Sequence, residues 1–219
     1  MTTLSWLVDV VMHLDRHLVE LVARYDLWVY ALLFLIIFAE TGLVVTPFLP
    51  GDSLLFACGA LSAVDTSGTL RLPWLLLLLA AAAIAGNTVN YSIGRYVGQR
   101  AYTGRSRLFK LEHLRRAEQF FHRHGGFAVA LSRFVPIIRT FTPFVAGISR
   151  MNVARFELFN VLGGAAWTAL FLCGGYAFGN LPVVRNNFGL VTLLIVAVSL
   201  LPLLWMVITD SRRVESSSG

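Results

Sequence analysis

Charge is what this chain has least of. Asp, Glu, Lys and Arg make up 14% of its 219 residues while 57% are hydrophobic, against about 25% charged residues in ordinary soluble domains. Cysteine is almost absent: Cys58 and Cys173 stand in apolar stretches without a C-x-x-C pair or ligand spacing, which argues against a disulfide framework or a metal site and reads them as small buried hydrophobes. No basic patch interleaved with stacking aromatics lies outside the apolar segments. Nucleic acid is therefore not an expected partner, and the net charge of +6 reads as membrane topology and contact with anionic lipids. The N-terminus lacks the ordered basic region, short apolar core and small-residue cleavage site of a secretory leader, so no cleaved signal peptide is expected. What is present is the composition of a polytopic membrane protein, with five Trp, six Tyr and sixteen Phe to supply aromatic anchors at two lipid–water interfaces.

In chain order, residues 1–26 set Asp9, His13, Arg16, His17, Glu20 and Arg24 opposite a leucine and valine stripe. This is the pattern of an amphipathic helix, lying on the membrane or packed on the rest of the protein. Residues 27–63 are apolar but interrupted by Glu40-Thr41-Gly42, Thr46-Pro47 and Pro50-Gly51-Asp52-Ser53. Neither arm offers the roughly 20 continuous apolar residues of a span, so the segment reads as a re-entrant hairpin around a polar centre; a full span through Glu40 followed by a half-helix is the alternative. After a polar loop, residues 73–96 form the clearest transmembrane helix. Its Ala and Gly run permits close packing, and Asn87 and Asn90 read as interhelical hydrogen-bonding groups. A basic stretch follows, with a second amphipathic helix over 105–124, and the excess of Arg and Lys in 95–124 predicts that it is cytoplasmic. Residues 127–148 carry Arg133 and Arg139 in an apolar run broken by Pro136 and Pro143, a second re-entrant hairpin. Residues 156–178 read as a Gly-rich span containing Trp167 and residues 190–208 as a last span, followed by a cytoplasmic tail, 210–219, whose terminal Ser-Ser-Ser-Gly reads as an appended remnant.

The expected fold is thus an all-α polytopic membrane protein, a single domain over 1–209. Thr46-Pro47-Phe48 answers Thr142-Pro143-Phe144, which suggests two inverted repeats, each an amphipathic helix, a re-entrant hairpin and a transmembrane helix, plus the final transmembrane helix. Transporters built this way hold substrate near the midplane, where broken helices meet.

The candidate site follows from the cost of charge in lipid. A guanidinium at the bilayer centre costs roughly 2.5–3.5 kcal/mol on insertion scales, so Arg133 and Arg139 require partners or water. Glu40 and Asp52 are the acids in matching context. Arginine suits phosphate through its planar donor fork, and Pro136 between the two arginines lets their heads converge on one anion. Thr142-Pro143 is expected to cap and start a helix, and Asp52-Ser53 to cap the returning arm of the first hairpin. Helix starts aimed at the midplane add N–H groups for an anion. Arg133, Arg139, Thr142 and Ser53 thus form an expected phosphate cradle. Burial and a neighbouring guanidinium act on a carboxyl in opposite directions, which makes Glu40 and Asp52 candidates for proton coupling, with a structural ion pair and a plain helix cap as their simpler roles. All five histidines, His13, His17, His113, His122 and His124, fall on the predicted surface helices.

Three ordered motifs carry a resemblance: Phe48-Leu49-Pro50-Gly51-Asp52-Ser53, the run from Gly86-Asn87 to Gly94-Arg95, and the run from Arg133 through Pro136 to Phe141. They resemble the bacterial DedA family, within the SNARE-associated/VTT superfamily, over about residues 1–209. The resemblance implies an inner-membrane protein with two facing re-entrant hairpins, in a superfamily that includes lipid scramblases. It also implies a link to the return of undecaprenyl phosphate across the membrane and to proton-motive-force-dependent tolerance of alkali and drugs, with functional acids at Glu40 and Asp52 and functional arginines at Arg133 and Arg139. Asn87 departs from relatives that carry Asp there, which puts any part of that position in proton movement in doubt.

The expected function is a flippase for a lipid phosphate, most simply undecaprenyl phosphate, coupled to protons. A proton-coupled antiporter of small cations or drugs and an uncoupled phospholipid scramblase are the alternatives. No catalytic residue, metal or cofactor is expected. Ser132-Arg133 resembles part of a lipid-phosphatase motif, but Arg139 stands where its histidine would be needed. The Gly-rich helices allow packing within one chain or in a homo-oligomer.

Overall fold

The computed structural model describes residues 27–43, 51–65, 68–102 and 125–179, together with residues 181, 182 and 194. The expected surface helices at 1–26 and 105–124, nearly all of the last span at 190–208, and the tail lie outside them. All regular structure among the described residues is helical: α1 Trp28–Gly42, α2 Gly51–Val64, α3 Leu72–Tyr102, α4 Phe127–Ser132, α5 Pro136–Ile148 and α6 Val153–Phe178.

Two of these are long and apolar enough to cross a membrane, Leu72–Gly98 within α3 and Val153–Phe178 as α6. They occupy the expected places, although α3 runs beyond residue 96 and takes Arg95 onto its last turns. Asn152 starts α6 by accepting the Arg155 N–H at 3.1 Å. By contrast α1, with 15 residues, reaches only about 22 Å at 1.5 Å per residue, short of the ~30 Å hydrocarbon layer. α2, with 14 residues, is no longer. The arginine-bearing segment is broken as its prolines require. α4 ends at Ser132, residues 133–135 are non-helical, and α5 restarts with Pro136 in its first turn.

α3 and α6 pack against each other, and each carries two of the shorter helices. α1 and α5 lie on α3; α2 and α4 lie on α6. The exchange is reciprocal, since each long helix holds a short helix from the other half of the chain. Glycines allow it. A Cβ on Gly175 would meet the Phe56 carbonyl and one on Gly59 the Leu172 carbonyl, which brings α2 and α6 to backbone contact. Gly94, Gly98 and Gly147 do the same between α3 and α5.

Beside an apolar core that includes Leu33, Ile37, Leu55, Leu75 and Leu79, the burial pattern departs from that of a water-soluble bundle. Leu77, Val89, Leu131, Phe141, Leu158, Leu162 and Leu170 face outward, while Glu40, Asp52, Asn87, Asn90, Arg133, Arg139, Asn160 and Thr168 are buried. An apolar exterior around an interior that holds charged and amide groups is stable in lipid, where hydrocarbon is the solvent and polar groups must find one another.

Two expectations need correction. Thr142-Pro143 does not start a helix; both lie inside α5, because Pro136 has already begun it. The Thr142 hydroxyl donates back to the Ile138 carbonyl at 2.7 Å, and Pro143 withholds the N–H that would have bonded the Arg139 carbonyl. The second concerns Cys173, which is exposed on α6, whereas Cys58 is buried as expected; both thiols are free.

Gly174 and Gly175 offer a direct test of this packing, because a Cβ at Gly174 meets nothing within 4 Å. Gly175→Leu should cost about 1–3 kcal/mol through overpacking, lowering the melting temperature in detergent by several degrees, while Gly174→Leu should leave it unchanged.

Candidate functional site

Four helices converge on Arg139. Placed one turn into α5 by the Pro136 start, it is 3% exposed, and its fork is divided between two acids. Nη2 donates to Glu40 Oε1 at 2.7 Å and Nη1 to Asp52 Oδ1 at 2.6 Å. Glu40 comes from the last turn of α1 and Asp52 is the second residue of α2. A guanidinium removed from water needs such charge-assisted bonds to offset its lost hydration.

Trp167 of α6 completes this half of the site. Its indole Nε1–H donates to Asp52 Oδ1 at 2.9 Å, and Arg139 lies over its ring, 4.8 Å from the centroid, so one side chain supports both members of the ion pair. Gly51 makes the acid side possible, because a Cβ there would collide with Glu40 Oε2.

Arg133 lies in the break between α4 and α5 and is 1% exposed. Its Nη2 donates to Asn160 Oδ1 on α6 at 2.5 Å, with the Ala83 carbonyl 3.3 Å away, while its Nε and Nη1 have no partner among the described residues. Arg133 and Arg139 are near enough for their charges to act on one another. Each guanidinium has its own protein partner: carboxylates for Arg139, a neutral amide for Arg133.

Further polar atoms are buried without a partner nearby: Glu40 Oε2, Ser53 Oγ, Asn87 Oδ1, Asn90 Oδ1, Arg139 Nε and Thr168 Oγ1. Each such atom in a dry interior costs about 1–3 kcal/mol, and the usual explanation is water or a ligand. Asn90 meets its expected role as a link, its Nδ2 donating to the Thr140 carbonyl at 2.9 Å and the Thr41 carbonyl at 3.3 Å. Thr142 is buried, but its hydroxyl is taken up within its own helix.

The structure therefore brings Glu40, Asp52 and Arg139 into one contact and places Ser53 and Arg133 in the same buried polar region. Sequence reasoning missed the contacts made by Gly51, Asn160 and Trp167. An amide alone on an apolar helix, and an indole in the middle of a span, were the available signals. No group of three His, Cys, Asp or Glu able to hold a metal occurs among the described residues.

A family model for the VTT domain matches residues 49–177, which contain both arginines and Asp52. Protein DedA of Escherichia coli is 48% identical over 203 residues, covering 92% of each chain. The inner membrane protein YqjA of Escherichia coli is 40% identical over 159 residues, 70% of this chain and 69% of its own. The chain belongs to the DedA family of VTT-domain membrane proteins. A membrane protein of Mycobacterium leprae is 41% identical over 170 residues, 77% of this chain and 75% of its own. No solved structure matches the chain. Membership agrees with the apolar exterior and the buried charges, since family members are named as membrane or inner-membrane proteins.

Removing the cation while leaving its acids is expected to be costly. Arg139→Met should destabilise the protein by about 3–5 kcal/mol, the usual penalty for orphaning a buried charge. Adding Glu40→Gln and Asp52→Asn should recover most of that loss. Thermal unfolding of the purified variants in detergent gives both values, and equal destabilisation of the single and triple variants would contradict the ion-pair account.

Proposed function

We propose that this protein is a flippase for a lipid phosphate, with the phosphate seated between Arg133 and Arg139 and its hydrocarbon tail left in the bilayer. The observation that carries this reading is the set of unused donors. Arg133 Nε and Nη1 and Arg139 Nε are buried with no partner among the described residues, and they belong to the side chain best shaped for phosphate oxygens. A site for the headgroup alone need not enclose a long chain, which favours undecaprenyl phosphate or a similar polyprenyl phosphate as substrate.

Glu40 and Asp52 couple the site to protons in this reading. While both are ionised they occupy two arms of Arg139, and an incoming phosphate must compete with them. Protonation of either acid frees an arm, so substrate loading and proton uptake favour each other. Ser53, buried beside Asp52 with an unpartnered hydroxyl, contributes a further group to the headgroup. Thr142 is assigned no direct contact.

The architecture supporting this function is a pair of inverted repeats. α1–α2 and α4–α5 act as re-entrant hairpins entering from opposite faces, with α3 and α6 as the spans that each hold the hairpin arm of the other half. The basic segment after α3 and the C-terminus face the cytoplasm of the bacterial cell, and anionic lipids surround the basic rim. Protons and lipid phosphate are the working partners, and no group of the site is assigned to bond-breaking chemistry.

Flipping of undecaprenyl phosphate by the purified protein in liposomes, followed across pH, tests the proposal. Wild type should flip saturably, faster when the acids are more fully protonated. Arg139→Ala should abolish flipping, and Glu40→Gln should flatten its pH profile. Equal movement of any phospholipid would indicate an uncoupled scramblase, whereas proton-driven cation flux without lipid movement would indicate an antiporter.

A further inference from the structure

The two arginines are held in chemically different ways, and the difference extends to a third acid. Asn160 stands between Arg133 and Glu157: its Oδ1 faces the guanidinium at 2.5 Å, while its Nδ2 faces Glu157 Oε2 at 3.0 Å. An amide so placed has its acceptor toward the cation and its donor toward the anion, so its dipole is aligned by both. The same Nδ2 reaches the Ile84 carbonyl at 3.1 Å and the Thr88 hydroxyl at 3.2 Å. The Thr88 hydroxyl lies 2.9 Å from the Ile84 carbonyl and 3.1 Å from Glu157 Oε2, with one proton to serve the two. Glu157 is half-buried and its charge reaches Arg133. Gly164 closes the other side, since a Cβ there would press on Arg133 Nη2.

We propose that Glu157, acting through the Asn160 amide with Thr88, is the positioning residue of the phosphate site: it balances the Arg133 charge in the empty protein and aims the free Nε and Nη1 edge at the incoming headgroup. This deepens the flippase reading above and rests on it. Arg139 exchanges carboxylates for phosphate, whereas Arg133 keeps its amide and exchanges only the field of a carboxylate behind it. An acid in direct contact would have to leave; an acid one amide removed can stay. Glu157 therefore limits how tightly the headgroup is held, which a carrier requires if it is to release its load.

The prediction is one of opposite signs. Glu157→Gln keeps the shape and an acceptor for Asn160 and Thr88 but removes the competing charge, so affinity for a phosphate should rise. Asn160→Leu removes the aim, so affinity should fall. Binding of farnesyl phosphate to the full chain in detergent, measured by titration calorimetry, reads both. Each change should be about fivefold or more, the scale of a typical coupling between sites, and Glu157→Asp should stay near wild type. An unchanged or weakened affinity in Glu157→Gln with a wild-type melting temperature would overturn this role while leaving the flippase reading in place. Absence of binding in wild type would overturn both. A merely structural hydrogen bond predicts no gain from Glu157→Gln, so the tightening separates the two even if Asn160→Leu fails to fold.

Discussion

A guanidinium shut away from water governs this protein. Arg139 is stable in its interior because two carboxylates and an indole ring surround it, and they come from three different helices, α1, α2 and α6. Those helices must therefore meet at one depth. To do so, α1 must end near Glu40, α2 must begin beside Asp52, and α6 must present Trp167 to both. The glycine contacts that let α2 lie on α6 and α5 lie on α3 serve the same geometry, since a wider separation would leave the charges apart in a low-dielectric medium.

The second arginine shows what that medium allows when no acid is in contact. Arg133 is held by an amide and keeps two unused donors, while Arg139, bonded to two carboxylates, keeps one, so the polar interior is partly satisfied by charge and partly left open. A wholly satisfied network would be a structural core and a wholly open one would not survive burial. The combination is what a site needs if it is to accept an anion and give it up again.

Much of this was legible in the sequence because expense is legible. Charged residues in apolar, proline-broken runs must find partners, so that Glu40 and Asp52 would meet the arginines was legible from that rule. That both acids go to Arg139 and none to Arg133 was not, because it depends on how the helices pack. The two long helices were legible as continuous apolar runs, and the break before Pro136 as proline chemistry. Thr142 was misplaced because Thr-Pro has the same sequence at a helix start and inside a helix; only the earlier start at Pro136 decides between them. Asn160, Glu157 and Trp167 stayed hidden for another reason. Their importance depends on which residues of distant segments face them, and a single asparagine or tryptophan on an apolar helix looks the same whether it faces an arginine or another helix. Glu157 in particular reads as an ordinary polar residue near the beginning of a span until Asn160 and Arg133 are placed beyond it.

The partners of the central ion pair are also far apart in time. Arg139 follows Glu40 by 99 residues and Asp52 by 87, so at about 5–20 residues per second of synthesis the acids precede their cation by several seconds or more. During that interval the first half of the protein holds two carboxylates without the arginine that pairs with them in the finished structure, and α2 lacks the α6 surface on which it packs. The first half therefore cannot settle into lipid as a finished unit while the second is being made. Assembly ends with the closing of two incomplete halves on each other, and whatever inserts this protein must keep the early acids hydrated or sheltered until the later arginine arrives.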